Sequence, residues 1–236
     1  AAHLSARTEK ADDGWSRSLV QATGFLLASG ADGSATNQAG KSAMQLAMES
    51  PTSAFLRERT ELLKLLGRSG ADLDERDEYG DTALHRAARE YSDEHVTELI
   101  AGGTSLNATN RLGRTPLHAS VEKLGGWGAE PIEALLRAKP DVNAQDHAGL
   151  TPLHVLAMSE SYYKREATRA LLEAGADPKI RDRRGRTVMH LLLAGKWPWD
   201  NAEQCIALLA AGGLDVAAAD DQGRTLLHYL AAVGHG

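Results

Sequence analysis

The chain has 236 residues, a formal net charge of −6 at neutral pH and a pI near 5.9. This acidic balance argues against a general binder of nucleic acid or of anionic membrane surfaces. No apolar run approaches the ~20 residues that span a bilayer, and the single cysteine, Cys205, excludes an internal disulfide.

A short segment, Thr-Pro-Leu-His, occurs at 115–118 and again at 151–154, and imperfect copies recur along the chain. The histidine-like anchors of these copies are spaced by 42, 40, 33, 36, 36 and 38 residues. In chain order the anchors are His3, Gln45, His85, His118, His154, His190 and His228. A period of this length is typical of a stacked repeat array with an extended binding surface.

Each unit is predicted to contain the same elements in the same order. An Asp/Asn-x-x-Gly turn comes first, in which the acidic or amide side chain bonds to nearby backbone and the glycine takes a positive φ. A threonine then caps the first helix, as at Thr151. A leucine-rich run forms a second helix that ends at a glycine able to adopt the left-handed conformation. The predicted positions are Gly30, Gly70, Gly102, Gly175 and Gly212.

These copies resemble the ankyrin repeat, and the resemblance covers essentially the whole chain. The segments that carry it are Asp77–His85, Asn110–His118, Asp146–His154, Asp182–His190 and Asp220–His228. The copy Asn37–Gln45 departs most from the pattern. The resemblance implies an all-α solenoid of helix–loop–helix units joined by β-turn fingers, in which each histidine bonds to the turn of a neighbouring repeat.

We expect a single repeat domain over residues 1–236 with partial units at both ends. The approximate units are 1–36, 37–76, 77–109, 110–145, 146–181, 182–219 and 220–236. Both ends fall at the same phase of the repeat, which we interpret as a segment of a longer array or an array with absent or divergent caps. Cys205 falls at an apolar position of a second helix, which predicts a buried, unreactive thiol.

The sequence predicts no catalytic residue, metal site or cofactor. No nucleophile elbow, phosphate-binding loop or dinucleotide fingerprint occurs. Five of the nine histidines occupy one motif position in successive units. Helices of neighbouring units lie ~8–10 Å apart, too far for one zinc ion to gather a full set of ligands at ~2.0–2.1 Å.

The resemblance implies protein binding through the fingers and the exposed face of the first helix. Leu112 and Leu150 draw attention because a finger needs no exposed leucine for its own fold, although packing between adjacent fingers would also explain them. The residues nominated by motif position are Tyr79, Asp81, Arg86, Arg111, Leu112, Arg114, His147, Leu150, Val155, Arg183, Arg184, Arg186 and Leu191.

A possible second surface lies between the two helices of the units, where insertions hold most of the aromatic residues. These aromatic side chains either grip a partner or anchor the longer loops. Candidates for this surface are Trp127, Tyr162, Tyr163, Trp197 and Trp199, and Trp15, Phe55 and Tyr91 occupy equivalent segments.

Charge is uneven along the fingers. Residues 72–81 sum to −5 and residues 177–186 sum to +3. This predicts a finger edge that runs from acidic to basic, which would orient a charged partner. The alternative is that these are solvated charges that aid solubility.

The favoured function is a protein–protein interaction scaffold or adaptor without enzymatic activity. The alternatives are a regulatory inhibitor that covers a basic partner protein, and a targeting module of a larger multidomain protein or secreted effector. We expect another protein as partner, with no direct nucleic-acid binding and no membrane insertion. The chain alone is expected to be a monomer inside the cell, in the cytoplasm, with the nucleus or delivery into a host cell as alternatives.

Overall fold

The computed structural model describes residues 20–38, 41–43, 46, 56–90, 93–122, 129–159, 164–195, 199–213 and 215–233. Helices account for most of this part of the chain. Helix α1 covers 20–28. The others are α2 (Leu56–Arg68), α3 (Ala83–Glu90), α4 (Asp93–Ala101), α5 (Pro116–Glu122), α6 (Glu130–Arg137), α7 (Pro152–Met158), α8 (Lys164–Glu173), α9 (Val188–Ala194), α10 (Trp199–Ala211) and α11 (Leu226–Val233).

The helices form two layers that stack in chain order. Helices α3, α5, α7, α9 and α11 pack successively on one another and form the inner layer. Helices α2, α4, α6, α8 and α10 do the same in the outer layer, and each inner helix from α3 to α9 also packs on the outer helix that follows it. This confirms the predicted all-α solenoid, in which each unit buries its apolar face against its neighbours.

The apolar core runs between the two layers. Inner helices contribute Leu84, Leu117 and Leu153, and outer helices contribute Ile132 and Leu171, all of them almost completely buried. Leucine and isoleucine recur at these positions because only one stripe of each helix faces the other layer. Cys205 is 1% exposed, and burial raises the pKa of its thiol, as expected for an unreactive core residue.

A finger joins each outer helix to the next inner helix. In the finger of the third unit, the Gly80 N–H donates to the Asp77 carbonyl at 2.9 Å, and the Asp77 side chain accepts from the backbone N–H groups of Tyr79 and Asp81. The finger glycines have φ between 70° and 78°, as predicted. They are Gly80, Gly113, Gly149, Gly185 and Gly223.

The anchor histidines link consecutive units. In the third unit the Thr82 N–H donates to His85 Nδ1 at 3.2 Å, and His85 Nε2 lies 2.9 Å from the Arg114 carbonyl of the next finger. His118 and His154 repeat this arrangement toward the carbonyls of Leu150 and Arg186. The bond across to the next repeat that the resemblance implied is therefore present for these three histidines.

His190 departs from this pattern. Its Nδ1 accepts from the Thr187 N–H at 3.1 Å, but its Nε2 has no hydrogen-bond partner among the described residues. The ring instead meets Tyr229 edge-on, with 5.2 Å between the ring centroids. The Arg224 backbone, which stands where Arg114, Leu150 and Arg186 stand in the earlier links, lies near His190 but outside normal hydrogen-bond geometry.

The outer helices end at left-handed glycines. The prediction is confirmed at Gly30, Gly70 and Gly175, and it is wrong by one residue in two units, where Gly103 and Gly213 take the place of Gly102 and Gly212. In both pairs the first glycine still donates its N–H to a helical carbonyl, of Glu98 or of Leu208, and the second reverses the chain. In the fourth unit Lys139 takes this role with φ 59°.

Close contact between fingers gives a prediction about two glycines. A Cβ at Gly149 (φ +77°) would lie 2.8 Å from the Arg183 backbone nitrogen, whereas a Cβ at Gly175 (φ +95°) would meet nothing within 4 Å. We expect Gly175→Ala to cost ~1–2 kcal/mol from the left-handed backbone alone. Gly149→Ala should cost about 1 kcal/mol more, because the hydrogen bond between fingers is also disturbed. Equal unfolding midpoints in urea for the two variants would contradict close finger packing.

Candidate protein-binding surface

The tips of five fingers form one continuous exposed line, which we call the fingertip row. Each finger contributes the two residues that follow its Asp or Asn, and all ten are exposed. The first tip positions are Glu78, Arg111, His147, Arg183 and Asp221. The second tip positions are Tyr79, Leu112, Ala148, Arg184 and Gln222.

Backbone hydrogen bonds fix the spacing of the fingertip row. The N–H of Arg111 donates to the Tyr79 carbonyl at 3.1 Å, and that of His147 to the Leu112 carbonyl at 2.9 Å. The two later junctions, Arg183 to Ala148 and Asp221 to Arg184, are 3.0 Å each. Each finger is thus held to the next, so the tip side chains project from a connected backbone and a partner need not order separate loops.

The nominated residues divide by exposure. Tyr79, Arg111, Leu112, His147, Arg183 and Arg184 are exposed, with Tyr79 and Leu112 at 65% and 57%. Arg86, Arg114 and Arg186 are half-buried. The structure buries the other four, Asp81, Leu150, Val155 and Leu191, so they do not lie on an open surface.

Leu150 was predicted to be a second exposed leucine of the fingers, and this prediction is wrong. It is 6% exposed and belongs to the apolar core, and its carbonyl accepts from the ring of His118. The position just after the finger glycine is buried at Leu150 and at Asp81, and half-buried at Arg114 and Arg186. Packing between repeats, which was the alternative explanation for this residue, therefore accounts for it.

The same position carries charge in the other repeats. Asp81 accepts from Arg89 Nη1 and from Asn110 Nδ2, each at 2.8 Å. Although burial opposes it, these hydrogen bonds hold the pKa of Asp81 below its usual range. Arg114 pairs with Asp146 at 3.2 Å and with Glu122. The side chains of Asp81 and Arg114 therefore form contacts that link neighbouring repeats.

Arg186 is likewise engaged within the fold. Its Nε donates to Asp182 at 2.8 Å, and this contact, against the opposing effect of burial, keeps the pKa of Asp182 below its usual range. Arg224 makes the corresponding bond to Asp220 at 2.8 Å. A partner could pair with Arg186 or Arg224 only by breaking these internal ion pairs.

The three inner helices α5, α7 and α9 offer little surface. Every residue of α5 except Glu122 is buried, as is every residue of α7 except Met158 and of α9 except Ala194. Val155 and Leu191, nominated for an exposed first-helix face, are core residues. The expected contact face is therefore reduced to the fingers and the half-buried Arg86.

The predicted acidic-to-basic gradient is also altered. In the acidic stretch the Asp77 side chain is 4% exposed, Asp81 is buried, and Asp74 accepts from the Ser105 N–H at 2.8 Å. In the basic stretch Arg181 donates to the Ala219 carbonyl at 2.6 Å. What remains at the fingertip row is a basic centre with one carboxylate at each end.

The second candidate surface falls mostly outside the described residues. Trp15, Phe55, Tyr91, Trp127, Tyr162, Tyr163 and Trp197 all lie there. Trp199 is the first residue of α10, so it belongs to the outer helix and not to the inter-helix segment.

Motif matching missed Glu78, Ala148, Asp221 and Gln222, which complete the fingertip row. The signal was present in the sequence, since these residues occupy the same two positions after each Asp or Asn. The nominated set omitted one tip position in the third unit, one in the fifth and both in the last finger, so it left the row incomplete.

The residues that the structure describes contain no group of three or more His, Cys, Asp or Glu side chains arranged to hold a metal ion. Within the same ranges, no helix combines the length and apolar character needed to cross a membrane.

Comparison with known families identifies the repeat. A family model described as ankyrin repeats in three copies matches residues 52–146, and a single ankyrin repeat model matches 148–183. No curated protein matches the chain. The two family matches together span more than half of the sequence, and the chain belongs to the ankyrin repeat family. Ankyrin repeats generally mediate protein–protein interactions and are generally non-enzymatic.

Proposed function

We propose that this chain is a non-enzymatic adaptor that binds another protein through its fingertip row. The observation that carries the proposal is the combination of exposed apolar and cationic side chains on a hydrogen-bonded row. Tyr79, Leu112 and Arg111 stand together at neighbouring tips. Tyrosine and arginine are favoured in binding hot spots, and the exposed Leu112 adds apolar area that a partner can bury.

The repeats are proposed to act as a single domain over residues 1–236, because each described layer packs continuously from one unit to the next. A monomer inside the cell remains the expectation from the sequence. A targeting module of a larger protein would use the same row, so one experiment applies to both. An inhibitor of a basic partner draws less support, because most carboxylates of 72–81 are engaged within the fold.

The experiment compares capture of partner proteins from the native cell by the wild-type chain and by charge-reversed variants. Arg183→Glu with Arg184→Glu should abolish capture while leaving helicity unchanged, because both side chains are exposed. Arg186 is left intact because it pairs with Asp182 at 2.6 Å. The matched control, Arg165→Glu with Arg169→Glu on the outer helix α8, breaks the exposed ion pair between Arg165 and Glu166, which contributes little to stability, and should capture normally.

Tyr79→Ser with Leu112→Ser provides a second, uncharged test of the same surface. Its capture should fall as well, because apolar tip contacts are lost without any change in net charge. Full capture by both fingertip variants, or equal loss in the α8 control, would remove the fingertip row from the proposed function.

A further inference from the structure

We infer that the fingertip row fits an extended segment of a partner protein that carries an apolar side chain at one end and carboxylates at the other. This inference rests on the proposed function and adds the chemistry of the bound segment. It follows from the order in which the tip residues occur along the row.

The second tip positions change from apolar to cationic along the chain. Tyr79, Leu112 and Ala148 are followed by Arg184. The second tip positions thus offer apolar contact in the third to fifth units and a guanidinium group in the sixth. Because the tips are joined by backbone hydrogen bonds, this order is also their order in space.

The first tip positions place the cations in the middle of the row. Arg111 and Arg183 lie on either side of His147, and Glu78 and Asp221 lie beyond them. The Arg183 side chain lies across Gly149, where a Cβ would come within 3.1 Å of Arg183 Cγ, and Arg111 lies across Gly80 in the same way. The stems of these two arginines are therefore placed against the preceding fingers.

These cations differ from the other arginines near the fingers. Arg114, Arg186 and Arg224 form ion pairs inside the array. Within the ranges that the structure describes, no ion pair forms with Arg111, Arg183 or Arg184. A partner carboxylate can pair with these groups without displacing an internal partner, and arginine is suited to bidentate pairing with carboxylate.

The carboxylates at the two ends exclude a uniformly acidic or basic partner. A long polyanion that followed the whole row would meet Glu78 and Asp221, and a polycation would meet the arginines between them. Tyr79 and Leu112 also offer no cation that could pair with the phosphates of a nucleic-acid strand. The order of side chains favours a short acidic stretch of polypeptide preceded or followed by an apolar residue.

The length of the segment follows from the repeat. Tyr79 and Arg184 are three units apart, and neighbouring units are separated by ~8–10 Å, which gives roughly 24–30 Å. An extended polypeptide advances about 3.3 Å per residue, so roughly eight or nine residues cover this distance. Contacts spread over such a length need several repeats in register.

The test uses two fluorescent peptides of the same composition and about ten residues each. The first has a leucine pair at one end, a glutamate run at the other and serine between them. The second has the leucines in the centre and glutamates at both ends. A lysine version of the first peptide and a single-stranded oligonucleotide complete the probes, with binding followed by fluorescence anisotropy at low and moderate salt.

The wild-type chain should bind the first peptide about tenfold more tightly than the second, and more weakly as salt rises. Arg183→Ala with Arg184→Ala, and separately Tyr79→Ser with Leu112→Ser, should each weaken binding about tenfold. Arg165→Ala with Arg169→Ala on α8 should leave it unchanged.

Equal binding of the two glutamate peptides, equal or tighter binding of the lysine peptide, or tighter binding of the oligonucleotide would overturn the inference. Failure of the inference and of the proposed function can be told apart. If the fingertip variants no longer capture the cellular partner but the chain binds the two glutamate peptides equally, the binding surface is supported and the inferred ligand is wrong. If capture is unaffected by those variants, the proposed surface itself falls.

Discussion

Replacing Leu153 by alanine is expected to lower the free energy of unfolding by about 2–5 kcal/mol. Leu153 is 2% exposed and lies in α7, which packs on α5 and α9 in the inner layer and on α8 in the outer layer. Truncation removes apolar contacts and leaves a cavity in the middle of the array. Because the units support one another, the loss weakens the interfaces on both sides of the fifth unit.

The matched control is Leu112→Ala, which removes the same atoms from an exposed position. This variant should change stability by no more than about 0.5 kcal/mol. Urea unfolding followed by circular dichroism gives both values. A Leu153→Ala midpoint that coincided with that of Leu112→Ala would show that the assignment of Leu153 to the core is wrong.

The repeat pattern was sufficient to predict the architecture. The spacing of Gly80, Gly113 and Gly149 fixed the fingers, because a positive φ at a constant offset from the histidine leaves few other residues suitable. The histidine links were implied by resemblance and are present at His85, His118 and His154. Local chemistry and spacing determine the fingers, so these can be predicted from the sequence, whereas the histidine links were implied only by the family resemblance.

The orientation of individual side chains could not be read in the same way. Leu150 and Leu112 are both leucines in fingers, yet one is buried and the other lies exposed at the tip. The difference is a position in the turn relative to the adjacent repeat. Hydrophobicity alone does not distinguish the two positions. Aligning Leu150 with Asp81, Arg114 and Arg186, which occupy the same position in the other units, does distinguish them.

The acidic end of the charge gradient was overestimated for a related reason. Asp77, Asp81 and Arg186 count toward the net charge of their stretches, but backbone N–H groups and internal ion pairs occupy them. A sum over sequence treats every charge as available to a partner. In this array the charges within each finger mainly join repeats, and the tip positions carry the charges that remain exposed.

Acidification from pH 7.5 to about 5 is expected to destabilise the array through His85, His118 and His154. Burial lowers the pKa of each of these imidazoles from its ordinary value. The geometry agrees, because Nδ1 accepts a threonine N–H and Nε2 faces a carbonyl. The neutral ring with its proton on Nε2 satisfies both contacts, whereas a proton on Nδ1 would oppose the threonine donor.

The sign follows from proton uptake. The unfolded chain binds these protons near the ordinary histidine pKa of ~6.5, and the folded chain binds them at lower pH. Stability is therefore complete above this value and is lost as pH falls toward the folded pKa values. Each histidine contributes a slope of up to ~1.4 kcal/mol per pH unit, and the three together up to ~4.

Carboxylates do not account for this change. Asp81 and Asp182 also have lowered pKa values, set by hydrogen bonds from Arg89 and Arg186 that overcome the effect of burial. Their contribution is lost only when pH falls below the unfolded value of ~3.9. The interval between pH 6.5 and about 4.5 thus isolates the histidines.

Urea unfolding at a series of pH values gives the slope directly, and His118→Gln is the variant that tests its origin. Glutamine can donate and accept but does not take up a proton in this range. The variant should be less stable than wild type at pH 7.5, because the fit between Thr115 and the Leu150 carbonyl is disturbed, yet it should lose less stability on acidification. A wild-type stability that stays constant from pH 7 to 5, or a slope unchanged by the substitution, would show that these imidazoles do not hold neighbouring fingers together in their neutral form.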